Sequence, residues 1–435
     1  DNGKEETIMK DLTGKKLLVL GGGSATINVV KFAHDMKVKV YVVDDRETGE
    51  AKEMADEKAV ISTVDYDSLA AYINENGIDG VMTGASEFNI VNTMRLCKLI
   101  GKPFYATEEQ WNICQNKRHF KDLCLKTGVP CVKDFDPNAD PRTFEYPVIV
   151  KPVDACSARG ITVCNTPEEF NAAREKALSY SPSKTILVEQ YVVNGGTTLS
   201  VKYIARGGEL YLEAVGDRYV LDADSGKALI TAAAFYPSKH TDYYIEHLDD
   251  KVKNMFKSIG LKNGCLFMEA LKTDTGIVFY EMGLRISGGM TYNITEVTNK
   301  VNELKMLISY ATIGSMCEEE DVIRIDPHLN GHATASLAVP LRTGTITEIM
   351  GLDEIRKIPQ VFLITQYYHE GDTIESRHIG TLDQLLARVT VIADNKEQLT
   401  EIIDKLLNTL SVKDEQGNEM FITSKLEDIH KDYIG

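Results

Sequence analysis

The sequence lacks both an excess of positive charge and a long apolar segment. Its 48 lysine and arginine residues are outnumbered by 65 aspartate and glutamate residues, which gives a formal net charge of −17. Phosphate polymers and anionic lipids are attracted by a positive field, so this balance argues against a general nucleic-acid or membrane-surface binder. No run approaches the roughly 18 apolar residues of a membrane-spanning helix. The first ten residues, DNGKEETIMK, have no apolar core of the kind that a secretory signal needs.

The cysteines and histidines also lack the spacings that carry chemistry in other proteins. The eight cysteines include no CxxC pair and no Cys and His pattern of a zinc site. A chain of 435 residues can bury a full core without disulfides, so we expect free thiols and a cytoplasmic location. The nine histidines are scattered, and no arrangement of Ser, His and Asp indicates a side-chain nucleophile.

The pattern of helices and strands predicts an α/β fold that becomes α+β in the central part. Through the first hundred residues, the strand-like runs KKLLVL, KVKVYVVDD, AVIST, DGVMTG and KPFYA alternate with helical segments, which predicts a doubly wound parallel sheet. One helical stretch, EEQWNICQNKRHFKDLCLKTGVP, follows, and strands dominate beyond residue 199. We predict a Rossmann-like domain at 1–106, a central domain at 107–329 and a C-terminal α+β domain at 330–435.

A glycine cluster after the first strand, LLVLGGGSAT, is similar to a dinucleotide-binding fingerprint. Gly21 and Gly23 match its first two glycines, and Asp44 closes the next strand, but Thr26 stands where the third glycine belongs. Two interpretations stay open: a nicotinamide site, or a structural turn of the kind found in any doubly wound domain.

Two acids are predicted to face each other on a β-hairpin. The runs NGCLFMEALKT and GIVFYEMG are joined through Asp274, Thr275 and Gly276, which suits a three-residue loop. With Thr273 opposite Ile277, that register places Glu269 opposite Glu281 on one face.

Like charges directly opposite each other are destabilising, so a cation between the carboxylates or a proton on one of them is expected. Mg²⁺ takes one or two carboxylates together with substrate phosphates, and Arg285, just past the strand, could bind phosphate or carboxylate. The alternative is a solvated hairpin whose acids merely align.

Five motifs in order give the chain a resemblance to the ATP-grasp superfamily, with the layout of biotin carboxylase and carbamoyl-phosphate synthase. They are Lys117 ahead of GVP, the strand and loop YPVIVKPVDACSARGI, the hinge EQYV at 189–192, the acid Glu269, and EMGLR at 281–285. The resemblance covers about residues 110–315. It implies an ATP-grasp fold, with a lid at about 130–192, behind a Rossmann-like pre-ATP-grasp domain.

The resemblance implies a role for each of these residues. Arg285 and Lys151 would act in catalysis, and Glu269 and Glu281 would bind Mg²⁺. The ATP-binding residues would be Lys117, Lys151, Ser157, Arg159, Gly160, Glu189, Gln190, Tyr191, Val192 and Thr198. The sequence departs from the family at three places: Thr198 replaces a glutamate that contacts ribose, Gly283 replaces a metal-binding asparagine, and Cys156 and Ser157 replace glycines of the phosphate loop.

The reaction implied is phosphorylation of a substrate carboxylate by ATP, followed by attack of an amine or thiol on the acylphosphate. Its partners would be a small carboxylic acid and an amine, with the C-terminal domain closing the cleft or forming a homodimer interface. Arg218 and Lys239 are further candidates for contact with a substrate carboxylate. A bicarbonate-activating carboxylase or carbamoyl-phosphate-type enzyme is the alternative of the same chemistry. A non-catalytic nucleotide-binding protein, or an NAD(P)-dependent enzyme using the first domain, is the alternative of a different class.

Overall fold

The computed structural model describes residues 12–154, 160–192, 197–221, 231–316 and 324–434. Within these ranges the chain is α/β, as the sequence predicts, with one parallel sheet at the N-terminus and antiparallel sheets after it. No helix there is both long enough and apolar enough to cross a bilayer. Six of the eight cysteines lie in these ranges, and each is a free thiol.

The N-terminal sheet has the parallel order β3-β2-β1-β4. Its elements are β1 (Lys16–Leu20), α1 (Ile27–Asp35), β2 (Lys39–Asp44), α2 (Glu50–Met54), β3 (Glu57–Val60), α3 (Tyr66–Asn76), β4 (Gly80–Met82) and α4 (Glu87–Ile100). Leu17 and Val19 join one buried cluster while Leu18 and Leu20 join another. Strands buried on both faces are typical of a parallel sheet covered by helices, so the predicted doubly wound sheet is confirmed.

The prediction of a strand at KPFYA, residues 102–106, was wrong, because this segment joins no sheet. The rings of Phe104 and Tyr105 instead stack with their centroids 4.4 Å apart. The Tyr105 hydroxyl donates to the carbonyl oxygen of Leu284 at 3.1 Å. Residues 102–106 are therefore apolar because they form a connecting segment that packs against the central domain.

The predicted helical stretch after residue 107 is two helices, α5 (Glu108–Gln115) and α6 (Lys117–Thr127). The side chain of Asn116 accepts hydrogen bonds from the backbone N–H groups of Arg118 and His119. An Asn at this position caps a new helix, so α6 begins at Lys117. Gly128, whose φ of +72° suits glycine, follows its last residue.

A small antiparallel sheet of order β5-β8-β6-β7 lies within residues 130–192, the range for which a lid is predicted. Its elements are β5 (Asp134–Phe135), β6 (Val148–Pro152), β7 (Thr162–Cys164), α7 (Pro167–Tyr180) and β8 (Ile186–Gln190). Phe170 and Ala173 of α7 pack with Val148 and Val150 in one buried cluster.

The largest sheet is antiparallel and has the order β13-β12-β9-β10-β11-β14-β18-β16. Its strands are β9 (Thr197–Arg206), β10 (Glu209–Val220), β11 (Thr231–Tyr236), β12 (Gly264–Thr273), β13 (Gly276–Gly283), β14 (Ala333–Pro340), β16 (Val361–Gln366) and β18 (Leu385–Ala393). Beside it, β15 (Gly344–Met350), β17 (Thr373–Ile374) and β19 (Ser411–Asp414) form a three-stranded sheet. The helices are α8 (Thr241–Tyr244), α9 (Asp250–Ser258), α10 (Tyr292–Asn299), α11 (Glu303–Ile313), α12 (Leu352–Arg356), α13 (Lys396–Thr409) and α14 (Ser424–Ile434).

The two faces of this largest sheet differ in chemistry. Val201 and Met268 point into a buried apolar cluster, whereas the alternate positions carry Lys202, Arg218 and Glu269. Side chains of one strand alternate between faces, and the cross-strand pairing places these three on one polar face. The sheet also continues across the predicted boundary at residue 330, because β14 pairs with β11.

Candidate functional site

The hairpin of β12 and β13 places Glu269 opposite Glu281. The predicted loop was wrong: Thr273 pairs with Gly276, which leaves a two-residue turn at Asp274 and Thr275. That turn alone would shift the acids out of register by one residue. A β-bulge between the Glu269–Glu281 and Ala270–Phe279 pairs inserts Tyr280 and restores the register.

Glu269 is the buried member of this pair, with a side chain only 10% exposed. Arg218 forms an ion pair with its carboxylate, and the Ser200 hydroxyl donates to it at 3.3 Å. Burial raises the pKa of Glu269 above its ordinary value, and the charge of Glu281 adds to the rise while Arg218 opposes it. A further cation at this carboxylate would therefore favour its ionised form.

Glu281 is the open member, with a side chain 43% exposed and a contact of 3.2 Å from Oε1 to the Nζ of Lys117. Lys117 is the first residue of α6, so the Asn116 cap fixes where this lysine sits. Glu281 is thus directly opposite Glu269, the other predicted metal-binding acid. It also contacts Lys117, the predicted phosphate-binding lysine. Two opposed carboxylates, one of them accessible, fit the donor set of Mg²⁺ completed by phosphate oxygens.

The predicted ATP-binding residues Lys151 and Glu189 form a buried ion pair of 2.5 Å between β6 and β8. Lys121, which the sequence reasoning missed, contacts the other oxygen of Glu189 at 2.7 Å and also pairs with Asp134. Burial alone would raise the pKa of Glu189, but the charges of Lys151 and Lys121 outweigh it and hold that pKa below its ordinary value. Lys121 follows Lys117 by one helical turn, so both lie on one face of α6.

A tyrosine connects this ion-pair cluster to the hairpin. The Nζ of Lys151 lies 5.8 Å from the ring centroid of Tyr280, the bulged residue. The side chain of Thr198, the predicted ribose contact, lies beside Tyr280 and lowers its pKa, against the larger rise that burial causes. The bulge therefore both aligns the acids and places an aromatic ring below Lys151.

The predicted hinge residues continue from the end of β8. The backbone N–H groups of Gln190 and Tyr191 donate to the carbonyl oxygens of Lys133 and Pro147 at 3.0 and 2.9 Å. Val192 follows them at the end of the described segment. Contacts to adenine would therefore come from the carbonyl oxygens here or from Val192.

Part of the predicted phosphate loop lies outside the described residues, including Cys156, Ser157 and Arg159. Gly160 is described, and its φ is +77°. A Cβ at this position would lie 2.8 Å from the Cβ of Tyr180. Glycine is thus required here by backbone geometry, and its role in binding ATP stays a prediction.

Arg285 lies next to an acid of the N-terminal domain that the sequence reasoning did not single out. Its Nη2 is 2.9 Å from Oε1 of Glu87, the first residue of α4. Its guanidinium also lies 4.9 Å from the ring centroid of Phe267. This arginine therefore connects the end of the hairpin to helix α4.

The polar groups around the glycine cluster form hydrogen bonds with one another. Asp44 accepts a hydrogen bond of 2.7 Å from the N–H of Gly22 and one of 2.9 Å from Nε of Arg46. The bonds from Arg46 hold the pKa of Asp44 well below its usual range. A Cβ on Gly22 would approach Lys52 to 3.0 Å. These contacts favour the structural-turn interpretation, since the acid already has partners in its own loop.

Comparison with known proteins points to one fold. Residues 144–293 match the family of the ATP-grasp domain. The chain is 22% identical to a formate-dependent phosphoribosylglycinamide formyltransferase of Sulfurisphaera tokodaii over 408 residues, covering 91% of this chain and 97% of that protein.

Two solved structures have the same overall architecture. An L-amino acid ligase from Bacillus licheniformis has a TM-score of 0.73 at 18% identity, covering 93% of this chain and 99% of that one. The biotin carboxylase domain of the Hydrogenobacter thermophilus 2-oxoglutarate carboxylase, in complex with MgADP and bicarbonate, has a TM-score of 0.71 at 19% identity, covering 96% and 94%.

Proposed function

Since the chain is a member of the ATP-grasp superfamily, we propose that it is an ATP-dependent ligase that forms C–N bonds. It phosphorylates a substrate carboxylate to an acylphosphate and couples that intermediate to an amine or thiol, with release of ADP and phosphate. The observation that carries this proposal is the hairpin on which Glu269 and Glu281 are opposed and Lys117 contacts Glu281.

The phosphate-binding groups surround that hairpin. Lys117 lies at Glu281, Lys151 lies over Tyr280, and Arg285 follows the end of β13. Fixed cations at such a site stabilise the negative charge on the oxygens of the transferred phosphoryl group. The proposal needs Lys117 and Lys151 to exchange or share their present carboxylate partners when ATP enters.

Glu269 and Glu281 would hold Mg²⁺, which when bound neutralises charge on the β- and γ-phosphates. The fit rests on their direct opposition, on the exposure of Glu281, and on the raised pKa of Glu269, which an added cation would relieve. Gly283 offers no side-chain ligand in place of the family's asparagine, so one Mg²⁺ ion is the minimum proposed.

The nucleotide base would lie at the other end of the cleft, at Glu189 to Val192. The lid, with Ser157, Arg159 and Gly160, would cover the phosphates, and Thr198 with Tyr280 would face the ribose. We propose the three domains 1–106, 107–329 and 330–435, with the C-terminal part closing the cleft on the shared sheet or forming a dimer interface.

The test is a screen for ADP release with Mg-ATP, using panels of carboxylic acids against amines and thiols. We expect ADP release that depends on a carboxylic acid in the wild type and is lost in Glu281→Gln, an isosteric change at an exposed side chain. If wild type and variant behave alike with every substrate pair, the proposal is refuted.

The same fold in a bicarbonate-bound biotin carboxylase domain keeps a bicarbonate-activating enzyme as the second candidate. ADP release that requires bicarbonate rather than an organic acid would select it. Nucleotide binding without turnover on any acid would instead select a non-catalytic protein.

A further inference from the structure

Phe267 is an aromatic residue on the polar face of the largest sheet. It alternates along β12 with Leu266 and Met268, which are buried in an apolar cluster, so its ring points to the face that carries Glu269. The ring is half-buried and packs in none of the buried apolar clusters that the described residues form. Packing of the core therefore does not explain an aromatic ring in this place.

The ring lies against a glycine of the neighbouring strand. Phe267 pairs with Gly283 across the hairpin, and a Cβ on Gly283 would lie 2.5 Å from Cε1 and 2.6 Å from Cζ of the ring. The φ of Gly283 is not in the left-handed region. The position therefore needs glycine because the ring takes the space of a side chain, and not because of its backbone conformation.

The guanidinium of Arg285 lies over the same ring, with its Cζ 4.9 Å from the ring centroid. A cation over an aromatic face is attracted by the quadrupole of the ring. The Nε and Nη2 atoms contact Oε1 of Glu87 at 3.3 and 2.9 Å, and Nη1 donates to the carbonyl oxygen of Ile286 at 3.1 Å. These contacts use three of the five N–H groups of a guanidinium and leave two without an acceptor in the described part of the chain.

This arginine is held close to the acidic pair. Phe267 and Glu269 are two residues apart on one face of β12, which is about 7 Å at ~3.4 Å per residue. The guanidinium over Phe267 therefore lies near the acids that the proposed function assigns to Mg²⁺.

We infer that Phe267 is a positioning residue: in the space left by Gly283, its ring fixes the plane of the Arg285 guanidinium and holds the two remaining N–H groups for the transferred phosphoryl group. The step that it serves rests on the proposed function, whereas the contact among these three residues does not. In that step the bond from the γ-phosphorus to the bridging oxygen breaks, ADP leaves with the electron pair, and a bond forms to a carboxylate oxygen of the substrate. A guanidinium that is oriented beforehand stabilises charge on the phosphoryl oxygens without reorganising during the reaction.

The first experiment measures kcat and KM for ATP in the ADP-release assay with the wild type, Phe267→Leu and Phe267→Tyr. Leucine keeps an apolar side chain but removes the aromatic face, and tyrosine keeps that face. We expect Phe267→Leu to lower kcat about tenfold while KM for ATP changes less than about twofold, because the contact acts on the transition state. Phe267→Tyr should stay within about twofold of the wild type. Phe362→Leu is the matched control, since Phe362 lies on β16 at the other edge of the same sheet, and it should match the wild type.

Gly283→Ala tests the same contact from the other strand. A methyl group there displaces the ring, because the atoms in its way are at the far end of the Phe267 side chain. We expect Gly283→Ala to lower kcat in the wild-type background but to change it less than about twofold in the Phe267→Leu background, because both changes remove one interaction. Effects that multiply in the double variant would contradict the inference.

A spectroscopic measurement separates the inference from the ligase proposal. In NMR spectra of the full chain, the side-chain protons of Arg285, assigned with Arg285→Lys, should be shifted upfield by the ring current of Phe267. The shift should persist in Phe267→Tyr and be lost in Phe267→Leu and Gly283→Ala.

The inference is overturned if the Arg285 signals are unchanged in Phe267→Leu, or if this variant has the kcat of the wild type while Glu281→Gln has lost ADP release. It is also overturned if kcat, affinity for ATP and melting temperature fall together in Phe267→Leu, which would show a structural role. A wild type that releases no ADP with any acid would refute the ligase proposal and with it the role of Phe267 in phosphoryl transfer. The Arg285 signals would still decide whether Phe267 and Gly283 hold the guanidinium.

Discussion

Two pairs of glutamates, one on strands β12 and β13 and one formed by β10 and helix α11, differ in how their charge is balanced. In the hairpin pair, Glu269 contacts Arg218 and Glu281 contacts Lys117, and Glu281 is open to solvent. In the other pair, Glu213 and Glu303 are almost fully buried, and neither forms an ion pair in the described part of the chain. The hairpin acids each have a cationic partner, whereas Glu213 and Glu303 have none within ion-pair distance in the described part of the chain.

The second pair has a structural origin in a bulge of β10. The register between β9 and β10 shifts between Leu212 and Ala214, which leaves Glu213 as the extra residue. The Thr295 hydroxyl donates to Glu213 Oε1 at 2.9 Å. Among the described residues, Glu213 Oε2 and Glu303 Oε1 find no partner as carboxylates. A proton on Glu303 would let it donate to Glu213 and satisfy the pair.

The pKa directions agree with this assignment. Burial raises the pKa of Glu303 well above its usual value, and the charge of Glu213 adds to the rise, while Lys202 opposes it. Glu269 is also raised, but it has Arg218 in direct contact. A direct cation contact is therefore what separates the two pairs.

The largest effect is expected from Glu269→Gln, which should lower ADP release by about 10²–10³-fold, because the charge proposed to bind Mg²⁺ at the transferred phosphate is lost. It should also lower the free energy of unfolding by about 1–3 kcal/mol, because Arg218 loses its carboxylate. Urea unfolding and ADP assays on the same preparations measure both.

Glu281→Gln is the control that separates these two effects. Its side chain is 43% exposed, so the free energy of unfolding should change by less than about 0.5 kcal/mol while activity is lost. Equal destabilisation by the two variants would contradict the different burial of the two acids.

A third buried acid, Glu189, extends the comparison because it forms ion pairs with two lysines, Lys121 and Lys151. Lys121→Met should reduce the free energy of unfolding by about 1–3 kcal/mol, since Asp134 and Glu189 each lose a buried partner. Glu189 keeps Lys151, so the variant should fold. The affinity for ATP should fall as well, because Glu189, without Lys121, attracts Lys151 more strongly and makes that lysine less available to phosphate.

Arg118→Gln is the matched control for Lys121→Met. Arg118 pairs with the same Asp134 at 2.6 Å, but its side chain is 34% exposed. Its loss should cost less than about 1 kcal/mol and leave ATP affinity unchanged. If both variants have the same effect on stability and affinity, burial of Lys121 is not what matters.

The sequence predicted the parts of this molecule that depend on local pattern. The alternation of strands and helices predicted the parallel sheet, and the hairpin predicted the pairing of Glu269 with Glu281. That pairing was reached through a wrong loop, because no local signal reveals that Tyr280 is bulged. The two register shifts cancel, so the acids face each other all the same.

Contacts between segments that are distant in the chain could not be predicted from the sequence. Glu87 precedes Arg285 by 198 residues, and Tyr105 precedes Leu284 by 179. Such pairs depend on strand order, which one sequence does not reveal. Lys121 had a usable signal, because it follows Lys117 by four residues on a helix that presents both to one side.

The smallest effect concerns the second glutamate pair and its proton. Because the pKa of Glu303 is raised on folding, the folded state binds more protons than the unfolded state above about pH 4.3, the usual value for glutamate. The free energy of unfolding should therefore fall as the pH rises from there through the folded-state pKa of Glu303. The contribution of this group is fully present only below the unfolded value.

Glu303→Gln should remove this dependence, since glutamine stays neutral and can donate to Glu213 at any pH. We expect the variant to gain about 1 kcal/mol over the wild type at pH 8 and little at pH 5. Urea unfolding of wild type, Glu303→Gln and the exposed control Glu397→Gln at pH 5, 6, 7 and 8 measures the slopes. Parallel slopes for wild type and Glu303→Gln would show that no proton is shared there, and the contrast between the two glutamate pairs would disappear.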